Sequence, residues 1–162
     1  MTRRHSGTPS AEALTAYLHA QIPLARAMAL QVQDAPPDVT RISAPLTPNQ
    51  NPHRTMFGGS LATLGIICGW LSLHRLLQAE QLDALLVVQK SECDFLRPAA
   101  DAVTATARHD ENMAAPFLAA LRRHGRGRAS VTTEILCQNQ QVLIHRGSYV
   151  ARAETAPQTG TP

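Results

Sequence analysis

A short polar segment that runs into a glycine pair is the part of the sequence best suited to chemistry. Residues 51–56, Asn-Pro-His-Arg-Thr-Met, lead into Phe57-Gly58-Gly59-Ser60, and no charged residue occurs from there to Leu73. If a helix begins at the glycines, its first N–H groups have no intrahelical partner and lie at the positive end of the helix dipole. Glycine also lets a ligand approach the backbone closely. The pattern predicts an oxyanion or anion site at Gly58 and Gly59, although the same glycines could serve only tight packing.

The element that must position this site is a long apolar helix, predicted over residues 57–77. A helix that is apolar on all sides is either wrapped by protein or embedded in lipid. The uncharged run is shorter than the roughly 20 apolar residues of a membrane span, and the sequence after it is rich in strand patterns. These features favour a buried central helix, and we expect no membrane span.

The segments around this helix predict an α+β fold in which a curved antiparallel sheet covers one long helix. Helices are expected at 11–21, with Ser10 as N-cap, and from 112 or 113 to 123. Strands are expected at 29–33, 39–44, 82–96, 102–109, 128–138 and 141–151, with a turn at Asn139-Gln140 and a loop at 45–56. The domain is predicted over residues 11–152, between a flexible N-terminus (1–10) and a disordered tail (153–162).

The long strand at 82–96 carries a finer prediction. Strict alternation places Leu85, Val87, Cys93 and Phe95 on one face, and Lys90, Glu92 and Asp94 on the other. A sheet curled round one helix leaves edge strands open, and pairing them across a two-fold axis protects them. We therefore expect a homodimer.

Composition excludes several classes of function. With 162 residues, 44% hydrophobic and 17% charged, the chain fits one globular domain. Aromatic residues are only 4%, too few for a base-stacking platform, and the net charge of +3 is no nucleic-acid signature. Three widely spaced cysteines and an N-terminus without an apolar signal region predict a reduced, cytoplasmic protein. The dispersed histidines form no metal-ligand pattern.

The motifs Asn51…Thr55-Met56-Phe57-Gly58-Gly59-Ser60-Leu61, Gly69-Trp70 and Asp94-Phe95-Leu96-Arg97-Pro98 resemble the hotdog-fold superfamily. More narrowly, they resemble the thioesterase domain found behind an acetyltransferase domain in some bacterial proteins, over residues 12–152. The resemblance implies a hotdog dimer that binds an acyl thioester of coenzyme A or acyl carrier protein. It implies no cofactor beyond the coenzyme A or phosphopantetheine of the substrate. The substrate carbonyl would meet the N-terminus of the central helix, with the pantetheine arm in a tunnel between subunits.

Carried over residue by residue, the resemblance implies an oxyanion-binding turn at Gly58 and Gly59, and places Asn51 near the thioester or the attacking water. Hotdog thioesterases often carry an Asp or Glu early on the central helix, whereas here residues 63–67 hold no carboxylate. Candidates to orient or activate water are Ser60, Thr63, His53, and Asp94 or Glu92. The predicted catalytic residues are Asn51, Gly58, Gly59, Ser60, Thr63 and Asp94. The predicted substrate-binding residues are His53, Phe57, Arg97, Arg126 and Arg128.

The arginine cluster at residues 122–128 has two interpretations. It is either the solvated end of a helix or a clamp in which Arg126 and Arg128 hold the phosphates of coenzyme A or an acidic carrier protein. Cys68 and His74 are expected to be structural. The predicted function is acyl-thioester hydrolysis. The missing helix carboxylate motivates the alternative of a non-catalytic acyl-thioester binder, and a hydratase or dehydratase ranks last.

Overall fold

The computed structural model describes residues 8–154, so most of the predicted flexible N-terminus and the predicted tail after Glu154 lie outside the described residues. The elements follow the predicted order, with two additions, a short helix after the first one and a 3-10 turn inside the predicted loop. They are α1 (Ala11–Gln21), α2 (Pro23–Ala27), β1 (Gln31–Asp34), β2 (Val39–Ala44), the 3-10 turn (Thr47–Asn49), α3 (Gly58–Ala79), β3 (Ala84–Phe95), β4 (Val103–Arg108), α4 (Glu111–His124), β5 (Arg126–Cys137) and β6 (Gln140–Ala153).

The described strands form one curved, six-stranded antiparallel sheet in the order β1-β2-β4-β5-β6-β3, which leaves β1 and β3 at its edges. The long helix α3 lies across one face of this sheet. Two buried side chains of the sheet bond directly to its backbone: Thr133 Oγ1 donates to Gly65 O at 3.4 Å, and Tyr149 Oη to Ile66 O at 2.9 Å. The predicted α+β architecture, a curved sheet around a central helix, is confirmed.

The shorter helices begin and end where side-chain chemistry directs them. Ser10 caps α1 by accepting a 3.1 Å bond from Ala13 N, and Asp110 caps α4 by accepting from Met113 N at 3.0 Å. Gly125 ends α4 in the left-handed conformation, at a φ of 67°, which costs glycine little. The predicted Ser10 cap and the helical insertion are both confirmed.

The central helix is buried by the protein around it rather than by lipid. By length and composition α3 could cross a membrane, but 67% of its most apolar 18-residue stretch is buried inside the fold. The buried residues include Leu64, Cys68 and Leu71, none of which is exposed at all. Core helices of this kind meet the same criteria as membrane spans.

The predicted alternation along β3 is wrong in its first half. Leu85 and Val87 are 56% and 48% exposed, whereas Leu86 is only 7% exposed. The register against β6 slips at Gln89, where one extra residue forms a β-bulge. Because a bulge shifts the side-chain parity by one, Leu85 and Val87 lie on the opposite face from Cys93, and the four residues do not share one face as predicted.

The turn between β5 and β6 lies one residue earlier than predicted. Gln138 and Asn139 both have positive φ values, 47° and 63°, and Gln140 already belongs to β6. Two successive left-handed residues suit the tight right-twisted connection of a two-residue hairpin.

Candidate active site

The first turn of α3 leaves three backbone donors free. Its N-cap is Phe57, whose side chain cannot accept a hydrogen bond, and the first helical bond runs from Leu61 N to Phe57 O at 3.1 Å. The N–H groups of Gly58, Gly59 and Ser60 have no partner among residues 8–154. They lie at the positive end of a 22-residue helix with no acidic residue in its first turn. This turn can therefore bind an anion or a carbonyl oxygen that gains negative charge.

The loop before α3 is held from two sides, which fixes the direction of these donors. Phe57 N donates to Asn49 O at 2.7 Å, and Met56 N donates to Ala99 O at 2.8 Å. Gln50 and Met56 also form an isolated antiparallel bridge. The chain thus enters α3 in an extended conformation that these backbone hydrogen bonds hold in place.

A cavity of about 360 Å³ opens beside this first turn, between α2, the 3-10 turn and α3. Five of its lining residues have apolar side chains: Leu24, Ala27, Met28, Pro48 and Phe57. The other four are Asn49, Ser60 and Thr63, which have polar side chains, and Gly59, whose backbone N–H has no partner among residues 8–154. None of these lining residues is titratable. The cavity thus joins hydroxyl, amide and N–H groups to an apolar wall, but holds no acid or base of its own.

Asn49 is a functional candidate that the sequence analysis missed. It is only 2% exposed, and its Nδ2 donates to Met28 O at 2.9 Å and to Pro45 O at 2.8 Å. Its Oδ1 is buried and has no partner among the described residues. A buried acceptor without a donor costs about 1–3 kcal/mol, so an atom of this kind beside a cavity points to a missing donor. The sequence offered only one hint, a second asparagine two positions before the predicted Asn51.

Asn51 lies in the same loop, but its side chain is engaged within that loop. Its Oδ1 accepts from His53 N at 2.9 Å and from Thr55 N at 3.2 Å, and its Nδ2 donates to Thr55 Oγ1 at 2.9 Å. Asn51 does not line the cavity. These bonds help Arg54 adopt a positive φ of 61° and so shape the tight turn before α3.

Asp94, a predicted catalytic residue, lies on the outer face of the sheet, away from the first turn of α3. It projects from the outer face of β3 and pairs with Arg146 at 2.5 Å, and both side chains are more than half exposed. Its neighbour Phe95 projects inward, where its ring would lie 3.2 Å from a Cβ added at Gly58. The structure thus brings Phe95 to the first turn of α3 and directs Asp94 away from it.

The predicted substrate-binding residues are dispersed. Phe57 borders the cavity with a side chain that is 57% exposed. His53 is exposed on the loop before α3, and Arg97 is exposed after β3, where its guanidinium donates to Gln140 Oε1 at 3.0 Å. These two positions flank the first turn without lining the cavity.

Arg126 and Arg128 lie at the opposite end of the sheet. In the strand register, Arg126 of β5 lies opposite Arg152 of β6, and Arg152 lies opposite Leu85 near the start of β3. Phe95, at the other end of β3, lies beside Gly58. A 22-residue helix is about 33 Å long at 1.5 Å per residue. Within one subunit, these arginines are therefore remote from the first turn of α3. Both are exposed and form no ion pair with any described residue.

A fully buried polar side chain, that of His145, packs against the middle of α3. His145 of β6 is not exposed, and its Nε2 lies 2.9 Å from Ser91 Oγ of β3. Burial lowers the pKa of His145, which favours the neutral ring. Burial also raises the pKa of the Cys68 thiol to about 12, so that Cys68 is an inert thiol, as predicted from its apolar neighbours.

Comparisons with known proteins agree with this architecture. A protein-family model described as "Putative thioesterase (yiiD_Cterm)" matches residues 11–153. A protein of unknown function from Chlorobaculum tepidum is similar at a TM-score of 0.83 and 23% identity, over 89% of this chain and 94% of its own. A structure titled putative thioesterase from Shewanella oneidensis gives a TM-score of 0.76 at 23% identity, over 88% of this chain and 96% of its own.

A thioesterase from Haemophilus influenzae is similar at a TM-score of 0.74 and 16% identity, over 94% of this chain and 96% of its own. At these identities the solved structures show the fold alone. That fold is the hotdog fold, which confirms the fold that the resemblance implied.

Proposed function

The chain belongs to the yiiD_Cterm thioesterase family, and from this membership we propose that it hydrolyses acyl thioesters of coenzyme A or acyl carrier protein. The observation that carries the proposal is the first turn of α3. Three unpartnered N–H groups there adjoin a cavity with hydroxyl and amide side chains. Thioester hydrolysis needs donors of this kind, because the carbonyl oxygen becomes an oxyanion when water attacks.

In this mechanism the thioester carbonyl oxygen accepts hydrogen bonds from the N–H groups of Gly59 and Ser60. These donors are held by the loop before α3 and need no reorganisation during the reaction. Each well-aimed donor of this type stabilises a transition state by about 2.7–4 kcal/mol. The tetrahedral intermediate then collapses, the C–S bond breaks, and the thiol of the carrier leaves with a proton.

The attacking water would be held by polar groups rather than by a carboxylate. Asn49 Oδ1 is buried without a donor among residues 8–154, and Ser60 and Thr63 supply hydroxyls to the lining of the same cavity. A water that donates to Asn49 and to one hydroxyl directs a lone pair at the carbonyl carbon. The predicted role of Asn51 remains a prediction, and its internal bonds favour an effect through the loop.

The proton of this water must leave through a group outside the cavity lining. We propose a homodimer in which the two β3 edges pair, because β3 is an edge strand whose Val87 and Val88 are 48% and 39% exposed. Antiparallel pairing places the start of one β3 beside the end of the other. The partner subunit can thus bring its own side chains to the first turn of α3.

The same symmetry gives the remote arginines a role. Arg126 and Arg128 lie at the Leu85 end of the sheet, so pairing through β3 would bring them toward the partner's site. There they would hold the phosphates of coenzyme A or acidic groups of a carrier protein. Replacing both by alanine should raise KM severalfold and leave kcat nearly unchanged, because phosphate binding is the same in ground and transition states. Unchanged KM would assign them to a solvated surface.

A panel of acyl thioesters on both carriers, followed by release of free thiol, tests the proposed function. We expect turnover by the unmutated protein, and we expect Thr63→Val, which removes a hydroxyl at constant shape, to lower kcat. The absence of any titratable group among the cavity residues also supports the alternative, a non-catalytic binder of acyl thioesters. Tight binding of acyl thioesters without thiol release would favour that binder.

A further inference from the structure

We propose that the cavity between α2 and α3 holds the acyl chain of the thioester and limits it to a short or medium length. This inference rests on the proposed function and adds the substrate class. The lining residues Gly59, Ser60 and Thr63 belong to the first turns of α3, whereas the apolar residues Leu24, Ala27 and Met28 belong to α2 and its C-terminal end. A thioester has the same order of polarity, with a carbonyl at one end and a hydrocarbon beyond it.

Two exposed side chains at the cavity support this assignment. Leu24 is 53% exposed and Phe57 is 57% exposed, and both line the cavity. Single exposed apolar residues are normal, but these two line the same cavity. A bound hydrocarbon chain would cover both of them.

Met28 connects the apolar lining of the cavity to the loop before α3. It is 5% exposed and lines the cavity, and its carbonyl accepts the hydrogen bond from Asn49 Nδ2. This bond ties the end of α2 to the loop that orients α3, so the apolar residues of α2 are held in position relative to the first turn of α3.

The size of the cavity sets the limit. Its volume is about 360 Å³, near the lower end of the roughly 300–1,000 Å³ that small-molecule sites occupy. A methylene is similar in size to a water molecule, which fills about 30 Å³ of the liquid. The cavity thus accepts on the order of ten carbons at most. Longer chains would extend out of it, and a larger side chain at Ala27, which is exposed and lines the cavity, would reduce its volume.

The test measures binding of S-alkyl-pantetheine thioethers of increasing chain length by titration calorimetry. These probes cannot be hydrolysed and contain the arm that both carriers share. We expect affinity to rise about fourfold for each buried methylene, which corresponds to about 0.8 kcal/mol, and then to level off. Ala27→Phe should move this plateau to shorter chains, and Leu24→Ala should weaken binding of the longer probes without affecting the fold. Ala20→Phe, an exposed position near the end of α1, is the matched control and should leave the profile unchanged.

Hydrolysis of the matching acyl thioesters is followed in parallel, so that the two claims fail separately. A length profile that is flat, or that Ala27→Phe leaves unaltered, would overturn the acyl-chain site even if thioesters are hydrolysed. Failure of every probe to bind would overturn it as well. A plateau shifted by Ala27→Phe without any hydrolysis would uphold the site and refute the hydrolase.

Discussion

The two glycine-containing regions of α3 have opposite surroundings. A Cβ added at Gly59 would clash with the far end of the Phe57 ring, which is 57% exposed and free to turn away. A Cβ added at Gly65 would lie 2.7 Å from His145 Cβ and 2.8 Å from its Cγ, atoms close to the backbone of a side chain with no exposed surface. A side chain added in the first turn would thus meet Phe57, which can move, whereas one added in the middle of α3 would meet His145, which cannot.

This contrast distinguishes the two explanations for the glycines of α3, close approach of a ligand and tight packing, which the sequence alone could not separate. Glycine in a helix interior costs about 1 kcal/mol relative to alanine, so each glycine needs a compensating reason. In the middle of α3 the reason is packing, because His145 and Tyr149 occupy the space of the missing side chains at Gly65 and Gly69. In the first turn no fixed protein atom needs that space, which leaves it for a ligand.

The largest effect on stability is expected from Gly65→Ala. The added methyl overlaps His145, which cannot turn away, so we expect a loss of about 3 kcal/mol of unfolding free energy. For a domain of this size that loss lowers Tm by about 6–12 °C. Gly59→Ala is the matched control and should leave Tm unchanged or slightly higher, because alanine favours the helix and Phe57 can move. Equal losses in the two variants, measured by thermal melting, would remove the distinction between the regions.

A smaller loss of stability, with a loss of activity, is expected from Asn49→Ala. The substitution leaves the carbonyls of Met28 and Pro45 without their donor, at a cost of about 2 kcal/mol. If Asn49 also holds the attacking water, kcat should fall by more than KM rises. Asn51→Ala is the comparison, because its bonds lie within the loop. A larger fall in kcat for Asn51→Ala than for Asn49→Ala, at equal Tm, would reverse the assignment.

A still smaller effect on stability is expected from lowering the pH, because of the buried His145 beside the middle of α3. Burial lowers the pKa of His145 below the ordinary value of 6.5 in the folded protein, so the unfolded chain binds the proton more readily. The stabilisation is therefore complete above pH 6.5 and is lost progressively as pH falls toward the depressed pKa. His74 and His109 are also buried enough to have lowered pKa values and add to the same trend. Thermal melts from pH 8 to 5 should show Tm falling below about pH 6.5, and less steeply in His145→Gln. An identical slope in that variant would exclude His145 as a contributor.

The fold was largely predictable because its signals are local. The capping Ser10, the left-handed Gly125 and the alternation of β5 each report on residues close in sequence. The inverted face of β3 was not predictable, because the bulge at Gln89 appears only in the register against β6. A bulge of this kind leaves no distinctive residue type in the strand.

The candidate site was predictable only in part, for a similar physical reason. The glycine pair predicts the first turn of α3, since the backbone donors at the start of a helix depend on local sequence alone. The apolar wall on α2 and the buried amide of Asn49 depend on contacts between segments about 20 residues apart. Likewise, the separation of Arg126 from Gly58 follows from the order of the strands rather than from any motif.

The most direct test of the central claim removes a single N–H group from the first turn. Replacing Gly59 by glycolic acid, or Ser60 by its α-hydroxy counterpart, exchanges the amide N–H for an ester oxygen and retains the side chain. Neither N–H has a partner among residues 8–154, so Tm should change little. We predict that kcat falls by about a hundredfold, or about 2.7 kcal/mol.

The same exchange at Leu61, whose N–H is bonded to Phe57 O, is the control and should lower Tm with little effect on kcat. An unchanged kcat in both the Gly59 and the Ser60 esters, at full stability, would contradict the assignment of the first turn as the oxyanion site.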